Sequence, residues 1–255
     1  MEPYELAESF LDHCERSTRI ADLAFRFQNA LEDLGFRYYA CSSHVDPLRP
    51  DDGIMVLNYP PTWVEWYSEQ QLHLIDPVFR CADRTRRPFY WDDPLFRKAM
   101  SARQHKMQVS AQQFGVAHGF TIPIHGPRGT ASCSVVPDSP KMDRRRYLAV
   151  EIMCVHLFNR IEHLRTPVAS LDLALLLSPR ERQSMDLVAI GKSDEELARL
   201  LGIRTFTAHE HIENAKKRLG FCSRTAAVVY ALGIREIRLE DAMRILTPTA
   251  RQNRR

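Results

Sequence analysis

One stretch limits what this chain can fold into more than any other: Ser178–Gly233, SPRERQSMDLVAIGKSDEELARLLGIRTFTAHEHIENAKKRLGFCSRTAAVVYALG. Three stops divide it into four short helical segments. Ser178 can cap the first segment, Pro179 occupies the first helical position, where no amide is needed, and Glu181 completes a capping box. Gly191 ends that segment by accepting a left-handed backbone. Ser193 with Glu196 starts the second segment in the same way. Leu197, Leu200 and Leu201 share a face, and Gly202 ends it. The third segment runs from about Thr205 to Leu219, its cap left open. Gly220 stops it and Ser223 opens the fourth.

Two short helices, a tight turn and a longer polar helix make a helix-turn-helix. In the third segment Ala208, Ile212, Ala215 and Leu219 form the buried stripe. The opposite face carries Thr207, His209, Glu210, Glu213, Asn214, Lys216 and Lys217. Such groups can meet base edges and phosphates in a major groove. An amphipathic helix with a solvated face has the same pattern. What separates the two is LSPRERQSMDLVAIGKSDEELARLLGI, then T-x-x-H-x-x-N, K-R-L-G and SRTAAV. This stretch resembles the DNA-binding domain of the LuxR family of bacterial transcription regulators. Glu181, Gly191, Lys192, Thr207, His211, Asn214, Leu219, Ser223 and Arg224 stand in family positions. The resemblance implies double-stranded promoter DNA as partner, read by Arg204, Thr205, Thr207, His209, His211, Asn214, Lys216, Lys217 and Arg224. Arg204 replaces a usual Ser and His209 a usual basic residue, which bears on the preferred DNA sequence. Met185 for Leu and Ala208 for Val are packing swaps.

Charge is divided unevenly. From Ser178 onward there are 15 Lys+Arg against 10 Asp+Glu, so of the total of +3 the first 177 residues hold −2. A basic module follows a slightly acidic one. The six cysteines, at 14, 41, 81, 133, 154 and 222, make no C-x-x-C pair or metal-ligand spacing and read as reduced thiols. The N-terminus lacks a basic-then-apolar signal, and no run of 18 apolar residues exists. Cytoplasmic location, with no metal, cofactor or membrane contact, is expected.

The first 165 residues alternate helices and strands. Helices are expected over 4–14 and 18–34, strands over 37–45 and 53–59 with a DPLRPDDG loop between them, and a helix over 62–72. Arg84 to Pro94 reads as irregular, with Pro94 opening a helical patch. A helix over 99–114, strands over 119–125 and 130–137 joined by Gly126-Pro127-Arg128-Gly129, and a long helix over 140–165 follow. The expected fold class is α+β: an N-terminal α/β/α sandwich with a mainly antiparallel sheet, plus an all-α four-helix helix-turn-helix domain. The domains are 1–165, a linker 166–177 whose LDLALLL should dock, and 178–237. A short helix with Leu239, Ala242, Met243 and Leu246 and a basic tail complete 238–255.

Within NYPPTWVEWYSEQQLHLIDPVF, Trp63 and Tyr67 are spaced i, i+4, Tyr59 precedes them and Asp76 follows; Trp91 comes from a separate loop. Apolar walls with a few polar groups suit a small molecule. By pattern alone the plainer reading is favoured: core aromatics, and an Asp that caps a helix before Pro77. The set Y-P-x-x-W-x-x-x-Y, D-P, a later Trp, G-x-T-x-P and G-x-R-G resembles the acyl-homoserine-lactone-binding domain of quorum-sensing LuxR-type regulators. The resemblance implies that Trp63 donates to the lactone carbonyl and Asp76 accepts the ligand amide N–H. Tyr67 lies over the acyl chain, Tyr59 bonds the acyl carbonyl and Trp91 walls the lactone ring. Ser134, with Ser132 as the alternative, adds a hydroxyl, and Gly119 is a packing glycine. It also implies a homodimer, with RNA polymerase as a candidate further partner. Two alternatives remain: a regulator of this type that senses another small molecule, and a lactone-processing enzyme. Against the enzyme, the chain has no G-x-S-x-G, H-E-x-x-H or G-x-x-x-x-G-K-[ST], and Asp76 has no paired carboxylate. No catalytic residue is assigned. His118, His125, His156 and His163 read as surface or core histidines.

Overall fold

The computed structural model describes residues 2–44, 53–126, 129–165, 176–238 and 240. The chain forms two compact units, Met1–Ala169 and Ser170–Arg255. Outside the described residues lie Val45, most of the DPLRPDDG loop, Pro127 and Arg128, linker residues 166–175, and the proposed late helix and tail.

In the first unit α1 (Pro3–Arg16) starts from a Glu2/Glu5 capping box, and α2 (Ile20–Asp33) runs into Gly35, whose φ of +81° turns the chain into the sheet. Among the described residues five strands follow: β1 (Phe36–Ser43), β2 (Met55–Leu57), β3 (Phe89–Tyr90), β4 (Phe120–Gly126) and β5 (Gly129–Pro137). They lie in the order β2-β1-β5-β4-β3, every neighbouring pair antiparallel. Between the strands come α3 (Pro61–Glu69), α4 (Pro77–Ala82), α5 (Pro94–Lys98) and α6 (Ala102–Gln113); α7 (Arg144–Arg165) closes the unit.

The sheet has two different faces. Phe36, Tyr39 and Cys41 of β1, Phe120, Ile122 and Ile124 of β4, and Ala131, Cys133 and Val135 of β5 meet one apolar core with α1, α2 and α7. A bulge between Phe36 and Tyr38 lets Phe36 and Tyr39 share that face. Strand alternation sends Ala40, Ser42, Thr121, Ser132, Ser134 and Val136 to the other face, and among them only small or hydroxyl side chains stand at its centre. An aromatic cluster built on Trp63 of α3, Ala111 of α6, Val116 and Val136 covers part of this second face.

Element ends differ from the pattern reading where a side chain or a backbone twist intervenes. β2 stops at Leu57 because Asn58 bonds β1 through its side chain, its Oδ1 accepting from the Tyr39 N–H at 2.6 Å. α3 ends at Glu69 because Gln71 takes a left-handed φ of 49°; Leu72–Leu74 is then a separate 3-10 turn. α6 begins at the Ser101/Gln104 capping box and α7 only at Arg144. Phe89–Tyr90, in the stretch expected to be irregular, adds a short edge strand against β4.

Among the described residues the second unit has four helices: α8 (Pro179–Ala189), α9 (Asp194–Leu201), α10 (Thr205–Leu219) and α11 (Arg224–Gly233). The Ser178/Glu181 and Ser193/Glu196 capping boxes both form, and Ser223 accepts from the Ala226 N–H. Gly202 and Gly220 end α9 and α10 with φ of +66° and +80°. Ala208, Ile212, Ala215 and Leu219 are buried. Buried Glu236, past α11, accepts from the Leu177 N–H at 2.9 Å and pairs with Arg182 at 3.0 Å, clasping the entry of the unit to its exit. Leu177 itself is buried in this core.

Candidate functional site

The polar face of the sheet, with α3, α4 and α6, encloses a cavity of about 390 Å³. That is the size of a site for a drug-sized molecule. Asp76 enters it as the N-cap of α4, 7% exposed. Its Oδ1 accepts from the Val78 N–H at 2.8 Å, and its Oδ2 accepts from the Tyr67 hydroxyl at 2.7 Å. Gln104 of α6 holds the preceding residue, donating to the Ile75 carbonyl at 2.7 Å. Asp76 therefore does cap a helix, as the plainer reading had it, and its remaining lone pairs border the cavity. Burial pushes its carboxyl above the usual range, although hydrogen bonds from Tyr67, Val78 and Phe79 work the other way. The Tyr67 phenol is pushed up in turn, by burial and by Asp76.

Trp63, on the first turns of α3, is 4% exposed and packs against Trp66, Tyr67 and Phe114 at centroid distances of 5.5–5.7 Å. Pro61 at the helix start sets the face that Trp63 and Tyr67 share. Neither the Trp63 indole N–H nor the Tyr59 hydroxyl has a hydrogen-bond partner among the described residues, and both side chains line the cavity. Burial, then the Asp76 charge, raises the Tyr59 phenol, which stays a neutral donor.

Trp91 is held differently. Its indole N–H donates to the Thr121 hydroxyl at 2.8 Å, and Thr121 shares a 2.8 Å hydrogen bond with Ser134. The Trp91 ring lies over Gly119, where an added Cβ would come within 2.4 Å of ring atoms. Gly119 thus serves close approach, not turning. Ser134 lines the cavity; Ser132, two register pairs further along β5 and 1% exposed, bonds His44 instead. Sequence reasoning gave Thr121 no role, although it sits inside G-x-T-x-P. The signal was there: hydroxyls at 121, 132 and 134 alternate with Ile122, Cys133 and Val135.

In the second unit Arg204, the N-cap of α10, and Thr205, His209, Asn214 and Lys217 on the helix are exposed, with Thr207 and His211 half-buried. Phe206, which sequence reasoning passed over, is 71% exposed at the start of this helix. Other groups are engaged within the unit. Lys216 pairs with Glu213 at 2.7 Å. His209 Nδ1 lies 2.9 Å from Asp194, and Arg224 binds both Asp194 and the Lys192 carbonyl. Asp194, at the first position of α9, thus ties α10 and α11 to it. Burial pushes its carboxyl up, but the bonds from His209 and Arg224 outweigh this and hold it below the usual range.

Comparison with known proteins now decides the family. The family described as "Autoinducer binding domain" matches residues 20–166, and "Bacterial regulatory proteins, luxR family" matches residues 175–231. The chain belongs to the LuxR family of bacterial regulators. This LuxR-family protein is a transcription regulator that joins a small-molecule-binding domain to a helix-turn-helix DNA-binding domain. It is 28% identical over 234 residues to the quorum-sensing-dependent transcriptional regulator RpaR of Rhodopseudomonas palustris, covering 91% of this chain and 95% of RpaR. It is 30% identical over 230 residues to the transcriptional activator TraR of Rhizobium radiobacter, covering 88% and 92%. Its fold is shared with SdiA in complex with octanoyl-rac-glycerol, at TM-score 0.59 and 21% identity over 91% of this chain and 95% of SdiA. Among the described residues no helix is long and apolar enough to cross a membrane.

Proposed function

We propose that this LuxR-family regulator is a quorum-sensing receptor for an acyl-homoserine lactone, binding promoter DNA as a homodimer in the cytoplasm. One observation carries the reading. A buried carboxylate and two unpartnered donors, Trp63 N–H and Tyr59 O–H, face one aromatic-walled cavity. An acyl-homoserine lactone offers one amide N–H and two carbonyls. Asp76 suits the N–H, Trp63 the ring carbonyl, and Tyr59 the acyl carbonyl, so each buried polar group gains a partner. Tyr67 holds Asp76 and covers the acyl chain. Trp91 forms the wall beside the ring, and Ser134 extends the Trp91–Thr121 hydrogen-bond chain toward the ligand.

Binding would complete the aromatic core between α3, α6 and the sheet, stabilising the folded sensor and with it the dimer. In this reading domain 1–165 senses and dimerises, 166–177 links, and 178–237 reads DNA. Arg204, Thr205, Thr207, His211, Asn214 and Lys217 meet the duplex directly. His209, Lys216 and Arg224 lie beside their partners Asp194 and Glu213 and turn to phosphates on docking. RNA polymerase is the proposed partner at the promoter. The protein works as a receptor and not as an enzyme, so incubated lactone should be recovered unchanged.

The octanoyl-rac-glycerol in SdiA favours a second reading, in which the acyl tail is shared and the head group is not a lactone. Mass spectrometry of small molecules released from protein purified from lactone-producing cells separates the two. The first reading expects an intact acyl-homoserine lactone in near-stoichiometric amount. An acyl compound without a lactone, or none, would sink it.

A further inference from the structure

Asp83, His44 and Ser132 form an unbroken chain at one end of the sensor sheet. His44 Nδ1 lies 2.8 Å from Asp83 Oδ1, and His44 Nε2 lies 2.8 Å from Ser132 Oγ. The connectivity is that of a Ser-His-Asp triad. Ser132, however, is 1% exposed, is not part of the cavity lining and has its hydroxyl taken by His44, so no acyl carbon can reach it there. The chain has a different consequence, which follows from what it joins.

Asp83 is the C-cap of α4, the helix whose N-cap is Asp76. His44 follows the last residue of β1, and its side chain is 8% exposed. The three residues therefore tie the far end of α4 to β1 and to the central strand β5. Burial holds the imidazole below its ordinary pKa against the pull of Asp83. The ring is then neutral, with Nδ1–H donating to Asp83 and Nε2 accepting from Ser132. Lying against this ring at 4.4 Å is Phe79, the third residue of α4, which also lines the cavity.

Strand register shows which end this is. Trp91 donates its backbone N–H to Gly119, Ser134 pairs with Ala40 and Thr121, and Ser132 pairs with Ser42. The cavity thus runs along the strands from Trp91, past Thr121 and Ser134, to Ser42, Ser43 and Phe79. Phe79 lines it together with Ser42 and Ser43, and His44, itself outside the lining, packs against Phe79.

We propose that His44 is a positioning residue that sets the depth of the ligand cavity: clamped between Asp83 and Ser132, it backs Phe79 as the end wall and so limits the length of acyl tail admitted. This rests on the small-molecule reading of the cavity but not on the lactone head group.

The test uses full-length protein and two straight-chain probe series, N-acyl-homoserine lactones and 1-acyl-glycerols, each from hexanoyl to tetradecanoyl. Affinity comes from ligand-dependent thermal stabilisation. The wild type should show a cut-off at the same tail length in whichever series binds. Phe79→Ala should move that cut-off to longer tails, raising long-tail over short-tail affinity at least tenfold, on a scale of about fourfold per added methylene accommodated. His44→Ala should reproduce the shift. The double variant should go no further than Phe79→Ala alone, because His44 acts through Phe79. Should His44→Ala fail to fold, Asp83→Ala, which cuts the clamp at its half-exposed end, must give the same shift in smaller measure.

Equal weakening across all tail lengths, an unmoved cut-off in Phe79→Ala, or additive shifts in the double variant would each overturn the clamp. Binding of acyl-glycerols alone, with the cut-off behaving as described, would remove the lactone reading and keep the clamp. Binding by neither series would remove both.

Discussion

Asp76 and Asp194 each stand at the N-terminal end of a short helix, and each holds a side chain from another element. The sensor buries Asp76 beneath aromatics, and desolvation raises its carboxyl. The reader leaves Asp194 near the surface, where His209 and Arg224 lower it. The same residue type thus carries opposite commitments. Asp76 already accepts from Tyr67 and Val78, and on the proposed reading the ligand amide satisfies the lone pairs that remain. A carboxylate already satisfied by His209 and Arg224 organises its own domain and leaves the outer helix face exposed. On the proposed reading, recognition in the sensor points inward and is limited by unpaired groups, and in the reader it points outward and is set by charge.

That contrast can be broken by substitution. The largest effect should come from Asp76→Ala, which orphans the Tyr67 hydroxyl, the Val78 N–H and the proposed ligand N–H. At roughly 1–3 kcal/mol for each unmatched buried group, the reporter dose-response should shift by about 100-fold or more. A response within a few-fold of wild type would show that the carboxylate does not face the ligand. Trp63→Phe keeps the packing and deletes one donor, so a shift of about tenfold is expected in the same assay. Since neither change touches α10, the salt dependence of DNA binding should stay as in the wild type. Altered salt dependence would deny that the two kinds of recognition are separable.

Lys216→Ala with Lys217→Ala is the counterpart in the reader. Affinity should fall for every DNA sequence, and the slope of log affinity against log salt should lose about two units, one for each phosphate contact. The ligand dose midpoint for stabilising the protein should not move. An unchanged slope in gel shifts across a salt series would place these lysines away from DNA.

The smallest effect is in pH. The raised Asp76 adds stability that is present below its unfolded value of about 4 and is lost as pH rises through the folded value. The depressed Asp194 adds stability present above about 4, lost as pH falls through its folded value. Relative to wild type, Asp76→Asn should therefore gain stability as pH rises, and Asp194→Asn should lose it. All three tryptophans, 63, 66 and 91, lie in the sensor, so their fluorescence follows that unit. Residual helical circular dichroism follows the other. Pairs of unfolding curves between about pH 3 and pH 7 that shift in the same direction for both variants would contradict the opposite signs.

The reader was legible because its boundaries are written in local chemistry. Ser178, Ser193 and Ser223 cap helices by accepting from amides three residues away, and Gly202 and Gly220 stop them through their own backbone angles. Nothing distant is needed to place those ends. The buried stripe of α10 follows from spacing alone. The partners of Arg224 and His209 did not, because Asp194 meets them only once three helices have packed.

For the sensor, the sequence by itself determined the main strands, most of the helices and a set of aromatics grouped near one Asp. Alternation along β1, β4 and β5 also separated apolar from hydroxyl positions. It could not say which face meets α1, α2 and α7 and which meets the cavity, since either face of a strand can be buried. Only the tertiary structure decided that Trp91 spends its N–H on Thr121 while Trp63 keeps its own unpaired. The same packing put Ser134, and not Ser132, on the cavity wall and brought His44 from one strand end behind Phe79 of a helix 35 residues later. Those contacts join residues far apart in the chain, and they exist only after the sheet, its register and the covering helices have fixed one another.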